Sequence, residues 1–203
     1  VGTEKIFNFF GGILKPEITL KDAMDNGRLV SYEYFPRIVP LSAEEEESWN
    51  DWTRKITNYS RYNQDKIDKK NIFNDPIFSN LLIQRSRVIK KASAKVDKVV
   101  AIINEFYSKG EYWLIYCEDS DQLEQINTLL IHHKFSPFIY HTDMIGSPSA
   151  ELDAFTNQSG IMLSIRCLDE GVDIPKISHA IIAASSKNPR QFIQRRGRVL
   201  RKS

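Results

Sequence analysis

The chain has 203 residues, and its content of 41% hydrophobic and 11% aromatic residues excludes a disordered or fibrous protein. The formal net charge of +2 is too small to identify a partner, so the distribution of the charges is more informative than their sum. Two cysteines exclude a disulfide framework and predict a reducing, cytoplasmic location, and no apolar run approaches the roughly 20 residues that a membrane span needs.

The first half of the chain is predicted to be irregular and mostly helical, because glycine and proline interrupt it repeatedly. In chain order, the predicted elements are a short helix ended by Gly11 and Gly12, a second ended by Gly27, an extended segment over residues 29–41, a helix opened by Ser42, a polar loop over residues 61–76 and a helix from about Pro76 to Lys91.

The second half is predicted to alternate strands with helices. In chain order, the elements are a helix through Val96 and Ile103 that Gly110 ends, the strand YWLIYC, a helix capped by Asp119 or Ser120, the strand FIYHT, the helix SPSAELDAFTN, the strands GIMLSI and HAIIAAS, and a last helix from about Pro189. This order predicts an α/β fold with a parallel sheet covered on both faces. Ligands of such sheets bind beyond the carboxyl ends of the strands.

Charges and aromatic residues also cluster along the chain. The acidic run of Glu44 to Glu47 and the basic stretch from Arg85 to Lys98 are both interpreted as solvated helix faces. For the basic stretch, a nucleic-acid path or a crossing between domains stays open. Trp49, Trp52 and Tyr59 follow a helical spacing, which favours packing over base stacking.

Two segments near the C-terminus carry groups that suit a nucleotide. In QFIQRRGRVLR, helical spacing places a row of glutamine and arginine side chains on one face, where a polyphosphate would offset their mutual repulsion. The alternative is a solvated basic helix end. About twenty residues earlier, CLDEGVDIP follows a strand; its Gly171 permits close backbone approach and its Asp173 can accept from a sugar hydroxyl, although an ordinary turn has the same composition.

In this order and spacing, LSIRCLDEGVDIP and RQFIQRRGRVLR resemble motifs V and VI of superfamily 2 helicases, with the closest likeness to XPB-type repair helicases and their restriction-enzyme relatives. YWLIYCED stands where motif IV is expected, and YEYFPRIVPLSAEEEE resembles the segment between the two motor domains. The resemblance implies a RecA-like, three-layer αβα fold. Residues 1–92 would be the tail of a first RecA-like domain with a helical linker, and residues 93–203 the second RecA-like domain, truncated at its C-terminus.

The resemblance also implies roles at the nucleotide. Arg198 and Arg201 would be arginine fingers that stabilise charge on the transferring phosphoryl group, and Gln194 would sense the γ-phosphate or its water. On the nucleotide side, Gly171 would allow the turn and Asp173 would contact the ribose. Arg195 would bridge motifs V and VI.

Nucleic acid would contact the other side of the same edge. The resemblance implies that four residues touch backbone phosphates: His141, Thr142, Ser164 and Arg166. Relatives often carry threonine at the position of Ile165, so Ser164 would substitute for that contact. Because the contacts are to phosphate and sugar, we expect binding to DNA without sequence preference.

Two motifs of an ATPase are missing from the sequence. It holds no G-x-x-x-x-G-K-[ST] and no strand that ends in a DExx box. We therefore expect ATP and Mg²⁺ to be held mainly by a first RecA-like domain of the same polypeptide, outside this sequence, and the fragment alone to be inactive. No cluster of histidine and cysteine has the spacing of a metal site.

Three functions remain at this point. The first is the C-terminal motor domain of an ATP-dependent DNA helicase or translocase, which makes no use of a membrane. The second is a stand-alone nucleic-acid-binding or adaptor module with the same fold and no ATPase activity. The third, a dinucleotide-binding Rossmann domain, lacks the G-x-G-x-x-G turn.

Overall fold

A computed structural model of the chain describes residues 2–12, 20–27, 32–63, 74–141, 146–165 and 177–183. The chain divides into two compact units. The first comprises residues 1–34 and 200–203, and the second runs from Phe35 to Val199.

The first unit contains two short helices, α1 (Gly2–Phe10) and α2 (Leu20–Asp25). Gly11 follows α1 and Gly27 follows α2 by two residues; their φ angles of 76° and 65° lie in the left-handed region that glycine adopts at helix ends. Both helices and their stops agree with the sequence pattern.

The second unit begins, after the exposed extended segment 35–41, with a helical hairpin of α3 (Ala43–Tyr62) and α4 (Pro76–Lys90). Tyr59, late in α3, stacks on Phe78, early in α4, with ring centroids 6.0 Å apart. Arg85, late in α4, lies over the ring of Trp49, early in α3, at 4.9 Å. The two helices are therefore antiparallel, and the aromatic residues serve packing as predicted.

The rest of the second unit alternates helices with strands. In chain order, the elements are α5 (Ser93–Phe106), β1 (Tyr112–Cys117), α6 (Ser120–His132), β2 (Phe138–Tyr140), α7 (Pro148–Gln158), β3 (Gly160–Ile165) and β4 (His179–Ile182). The strands form one parallel sheet in the order β2-β3-β1-β4. The bounds of β1 and β3 are those predicted from sequence, whereas β2 and β4 are shorter than predicted.

Successive residues of the central strand β1 point to opposite faces of the sheet, and each face carries its own core. Ile115 and Cys117 pack with Ile103 of α5 and Ile126 of α6. Leu114 and Tyr116 pack on the other face with Phe155 of α7. Helices thus cover both faces, which confirms the predicted α/β fold with a parallel sheet in a three-layer αβα architecture. Because the strands are parallel, all their carboxyl ends meet at one edge, which we call the carboxyl edge.

The helical hairpin packs in the same compact unit as the sheet. The domain boundary predicted between residues 92 and 93 lies at the junction of α4 and α5, and it stays a prediction.

Candidate functional site

The carboxyl edge is where the sequence predicted nucleotide and nucleic-acid contacts. Strand register brings one residue from each strand into a row just inside this edge. The paired residues are Tyr140 with Ser164, Ser164 with Tyr116, and Tyr116 with Ile182. Of the predicted nucleic-acid residues, the structure therefore brings Ser164 and His141, which directly follows Tyr140, to neighbouring positions.

These two residues differ in exposure. His141 is partly exposed, whereas Ser164 has 0% of its surface exposed. The Ser164 hydroxyl lies on the α7 face of the sheet, since it is two residues beyond Met162, and it has no hydrogen-bond partner among the described residues. A contact from this hydroxyl to a backbone phosphate stays a prediction. Thr142 and Arg166 lie outside the described residues.

All of the residues predicted for the nucleotide also lie outside the described part of the chain: Gly171, Asp173, Gln194, Arg195, Arg198 and Arg201. The structure shows the two strands that lead to their segments. β3 reaches the carboxyl edge at Ile165 and β4 reaches it at Ile182, one on each side of β1. Strands lie about 4.8 Å apart, so these two exits are separated by about 10 Å.

A group of ion pairs lies at the carboxyl end of β1, and no sequence pattern predicted it. The Lys90 ammonium lies 2.8 Å from the Glu118 carboxylate, and both are largely buried, with 18% and 8% of their side-chain surfaces exposed. Next to this pair, Lys91 lies 2.8 Å from Asp119 and 2.7 Å from Asp121. We refer to these five residues and Gln122 as the ion-pair cluster.

Gln122 connects the backbones on either side of the ion-pair cluster. Its side chain is 2% exposed. The amide nitrogen Nε2 donates to the carbonyl of Lys90 at 3.1 Å, and its oxygen Oε1 accepts from the backbone N–H of Glu118 at 2.9 Å. The end of α4 and the loop after β1 are therefore joined by both charged and neutral contacts.

Contacts within the ion-pair cluster shift the pKa values of Lys91 and Asp119. Hydrogen bonds to Asp119 and Asp121 raise the pKa of Lys91. Burial pushes the pKa of Asp119 upward, but hydrogen bonds from Lys91 and the Gln122 N–H outweigh it, so the pKa is lowered. Burial lowers the pKa of Lys95, against the attraction of Glu118. The charged forms of Lys91 and Asp119 therefore stabilise each other, whereas burial disfavours the charged form of Lys95.

Glu45 makes a second connection between the hairpin and the sheet domain. Its Oε2 accepts from the Ser42 N–H at 2.9 Å, which completes a capping box at the start of α3. Its Oε1 accepts from the Ser93 N–H at 2.7 Å, at the start of α5. One carboxylate therefore caps two helices. Burial opposes ionisation, yet the hydrogen bonds from Ser42 and Ser93 lower the pKa of Glu45.

These contacts correct the interpretation of the basic stretch from Arg85 to Lys98 as a solvated face. Three of its cations have defined partners: Arg85 lies over Trp49, and Lys90 and Lys91 pair with carboxylates. The run of four glutamates agrees better with expectation, since Glu44, Glu46 and Glu47 are exposed and Glu45 is the exception.

Cys117 matches its prediction as a small buried hydrophobic residue, with 0% of its surface exposed. Burial, with a smaller contribution from the charge of Asp119, raises the pKa of its thiol to about 12. Cys167 lies outside the described residues. Within the described ranges, no three His, Cys, Asp or Glu side chains are placed to hold a metal ion, and no helix there is long and apolar enough to span a membrane.

Comparison with known proteins identifies a family and relatives for the chain. The sequence profile of the helicase conserved C-terminal domain matches residues 94–203. Over 130 residues, the chain is 28% identical to a protein of Methanocaldococcus jannaschii provisionally named an ATP-dependent RNA helicase, covering 60% of this chain and 16% of that protein. Over 113 residues, it is 29% identical to the DNA 3'-5' translocase XPB2 of Sulfurisphaera tokodaii, covering 55% of this chain and 24% of that protein.

The chain thus spans a quarter or less of the length of these two relatives. Among solved structures, it is similar to the helicase domain of Hef from Pyrococcus furiosus, with 18% sequence identity and a TM-score of 0.43. That similarity covers 71% of this chain and 31% of the other.

Proposed function

Because the chain belongs to the helicase C-terminal domain family, we propose that it is the second motor domain of an ATP-dependent DNA helicase or translocase. The observation that carries this proposal is the extent of the family match, which covers both segments whose residues suit a nucleotide, CLDEGVDIP and QRRGRVLR. We also propose a cytoplasmic location, which the two cysteines of the sequence support.

In the proposed mechanism, the first motor domain holds ATP and Mg²⁺, and this domain closes on them. Arg198 and Arg201 supply positive charge to the transferring phosphoryl group, and Gln194 orients its water. Arginine suits this role because its guanidinium stays charged and binds phosphate oxygens in a bidentate geometry. Asp173 accepts a hydrogen bond from the ribose, and Gly171 and Arg195 hold the two segments beside it.

The nucleic acid is proposed to cross the carboxyl edge near β2 and β3. Two observations support His141 as one of its contacts: this residue follows β2, and it is partly exposed. Thr142, Ser164 and Arg166 would complete the phosphate contacts. We favour DNA over RNA because LSIRCLDEGVDIP and RQFIQRRGRVLR resemble the motifs of XPB-type helicases. The two relatives are named one for each nucleic acid and do not decide the question.

The test is ATP hydrolysis by the natural polypeptide that contains this chain, with and without DNA, beside its Arg201→Ala variant. We expect DNA to stimulate turnover in the parent, and kcat of the variant to fall by about 10³-fold while DNA affinity is kept, as for the loss of an arginine finger. Arg54→Ala is the matched control, since it removes the same charge from the surface of α3.

Two outcomes would contradict the proposal. Turnover that DNA does not stimulate would remove the motor function and favour a binding or adaptor module. An Arg201→Ala variant as active as Arg54→Ala would remove the finger assignment. Replacement of the DNA by RNA of the same length decides between the two nucleic acids.

A further inference from the structure

The helical hairpin is fixed to the sheet at its base. Because α3 and α4 are antiparallel, the start of α3 and the end of α4 lie at the same end of the hairpin, and both are anchored there. Glu45 joins the start of α3 to the N–H of Ser93 in α5. Lys90 joins the end of α4 to Glu118 after β1. Ala92, between α4 and α5, is 1% exposed.

The anchoring contacts are of a kind that resists bending. Removing one partner of a buried ion pair is strongly unfavourable, because the remaining charge stays in a site with little water. Glu118 is 8% exposed and lies 2.8 Å from Lys90. A hinge at residues 91–92 would separate Lys90 from Glu118 and would break the hydrogen bond from the Gln122 amide to the Lys90 carbonyl. The hairpin and the sheet are thus expected to move together.

The position of the ion-pair cluster gives this rigidity a use. Glu118 and Asp119 directly follow β1, the central strand, at the carboxyl edge. A movement of this edge is therefore transmitted to the base of the hairpin through Lys90 and Lys91. Neither lysine is a free cation for DNA, because both ammonium groups are already paired with carboxylates.

We propose that Lys90 and Lys91 are positioning residues that make the α3–α4 hairpin one rigid body with the sheet, so that the hairpin acts as a lever driven by the second motor domain. The rigid coupling stands on the contacts above. The lever action rests on the proposed motor function. The two parts are therefore tested separately.

Rigidity is measured first, without any ligand, on the 203-residue chain. Spin labels are attached at Asn58→Cys on α3, toward the tip of the hairpin, and at Glu124→Cys on α6; both positions are exposed. Cys167 is replaced by serine, and Cys117 is kept because it is buried. We expect a narrow distribution of distances between the labels. A broad or bimodal distribution in the otherwise unchanged chain would overturn the proposal.

The variants test whether the lysines cause the rigidity. Lys90→Met/Lys91→Met should broaden the distribution of label distances at least about twofold, since three charge-assisted contacts worth a factor of roughly ten each are lost. Lys91→Met alone, at a more exposed position, guards against a double variant that does not fold. Lys98→Met is the control, because it removes an exposed cation of α5 that has no ion pair among the described residues. If the lysine variants gave a distance distribution as narrow as that of this control, Lys90 and Lys91 would not be the cause of the rigidity.

The lever is then tested in the natural polypeptide. Lys90→Met/Lys91→Met should leave ATP turnover within about twofold of the parent, because both ammonium groups are engaged by carboxylates of this domain. The rate of movement along DNA should fall at least about tenfold. Equal losses of turnover and movement would overturn the lever action. A parent without DNA-stimulated turnover would instead contradict the motor function, and the spin-label result would still decide the rigidity.

Discussion

At Ser164, the structure places a hydroxyl where the sequence suggested a phosphate contact. The residue has no exposed surface, and its hydroxyl has no partner in the described ranges. A buried hydroxyl without a hydrogen bond costs about 1–3 kcal/mol, because it has lost its water. Ser164 is therefore a destabilising residue, unless a ligand or a part of the chain outside the described residues supplies a partner for its hydroxyl.

Replacing Ser164 with alanine shows whether its hydroxyl destabilises the fold or has a hydrogen-bond partner. We expect Ser164→Ala to raise the free energy of unfolding by about 1 kcal/mol, since the variant no longer buries an unsatisfied group. Urea unfolding followed by circular dichroism measures the change, and DNA affinity is measured in the natural polypeptide.

Ser136→Ala is the matched control for Ser164→Ala, because Ser136 is exposed outside the helices and strands. Its free energy of unfolding should stay within about 0.5 kcal/mol of the parent. A Ser164→Ala variant that is less stable, or that loses DNA affinity while the control does not, would show that the hydroxyl has a partner and would favour the predicted phosphate contact.

At the scale of elements, two carboxylates hold helix starts in place. Glu45 caps α3 and α5, and Asp119 caps α6 by accepting from the Gln122 N–H at 3.1 Å. Both pKa values are lowered in the folded protein. Their contribution to stability is therefore present above the unfolded pKa of about 4 and is lost as the pH falls through the lower, folded value.

We accordingly expect the free energy of unfolding to be level near neutral pH and to fall as the pH is lowered below about 4. Urea unfolding at a series of pH values gives the profile. Asp119→Asn serves as the comparison, since asparagine still caps a helix but carries no charge to titrate.

The Asp119→Asn profile should fall less steeply in acid than that of the parent. A variant whose profile parallels the parent at every pH would mean that Asp119 ionises in the folded and unfolded chains alike. In that case, the contact with Lys91 would contribute nothing measurable to stability.

At the scale of the whole molecule, the fold was more predictable than the site. β1 and β3 are continuous apolar runs bounded by polar residues or glycine, so their bounds follow from composition alone. The ion pair of Lys90 with Glu118 joins residues 28 positions apart, and no local pattern encodes it. The sequence showed the basic stretch but not its partners. Two predicted site residues, His141 and Ser164, fall within the described part of the chain.

The proposed division of ATP binding between two motor domains leads to a prediction for this chain alone. Because the sequence holds no P-loop motif, we expect no binding of ATP and Mg²⁺ tighter than about 1 mM. Isothermal titration calorimetry on the 203-residue chain measures this, with the natural polypeptide as the positive control. Micromolar affinity in the isolated chain would contradict the division.

The place of β1 in the sheet also has a consequence for synthesis on the ribosome. β1 is central, yet both strands that pair with it, β3 and β4, come later in the chain. At about 5–20 residues per second, translation from residue 118 to residue 159 takes about 2–8 s. During that interval YWLIYC is an apolar strand with two unpaired edges, the type of segment that aggregates. It is thus the segment of this domain that a ribosome-associated chaperone would need to cover.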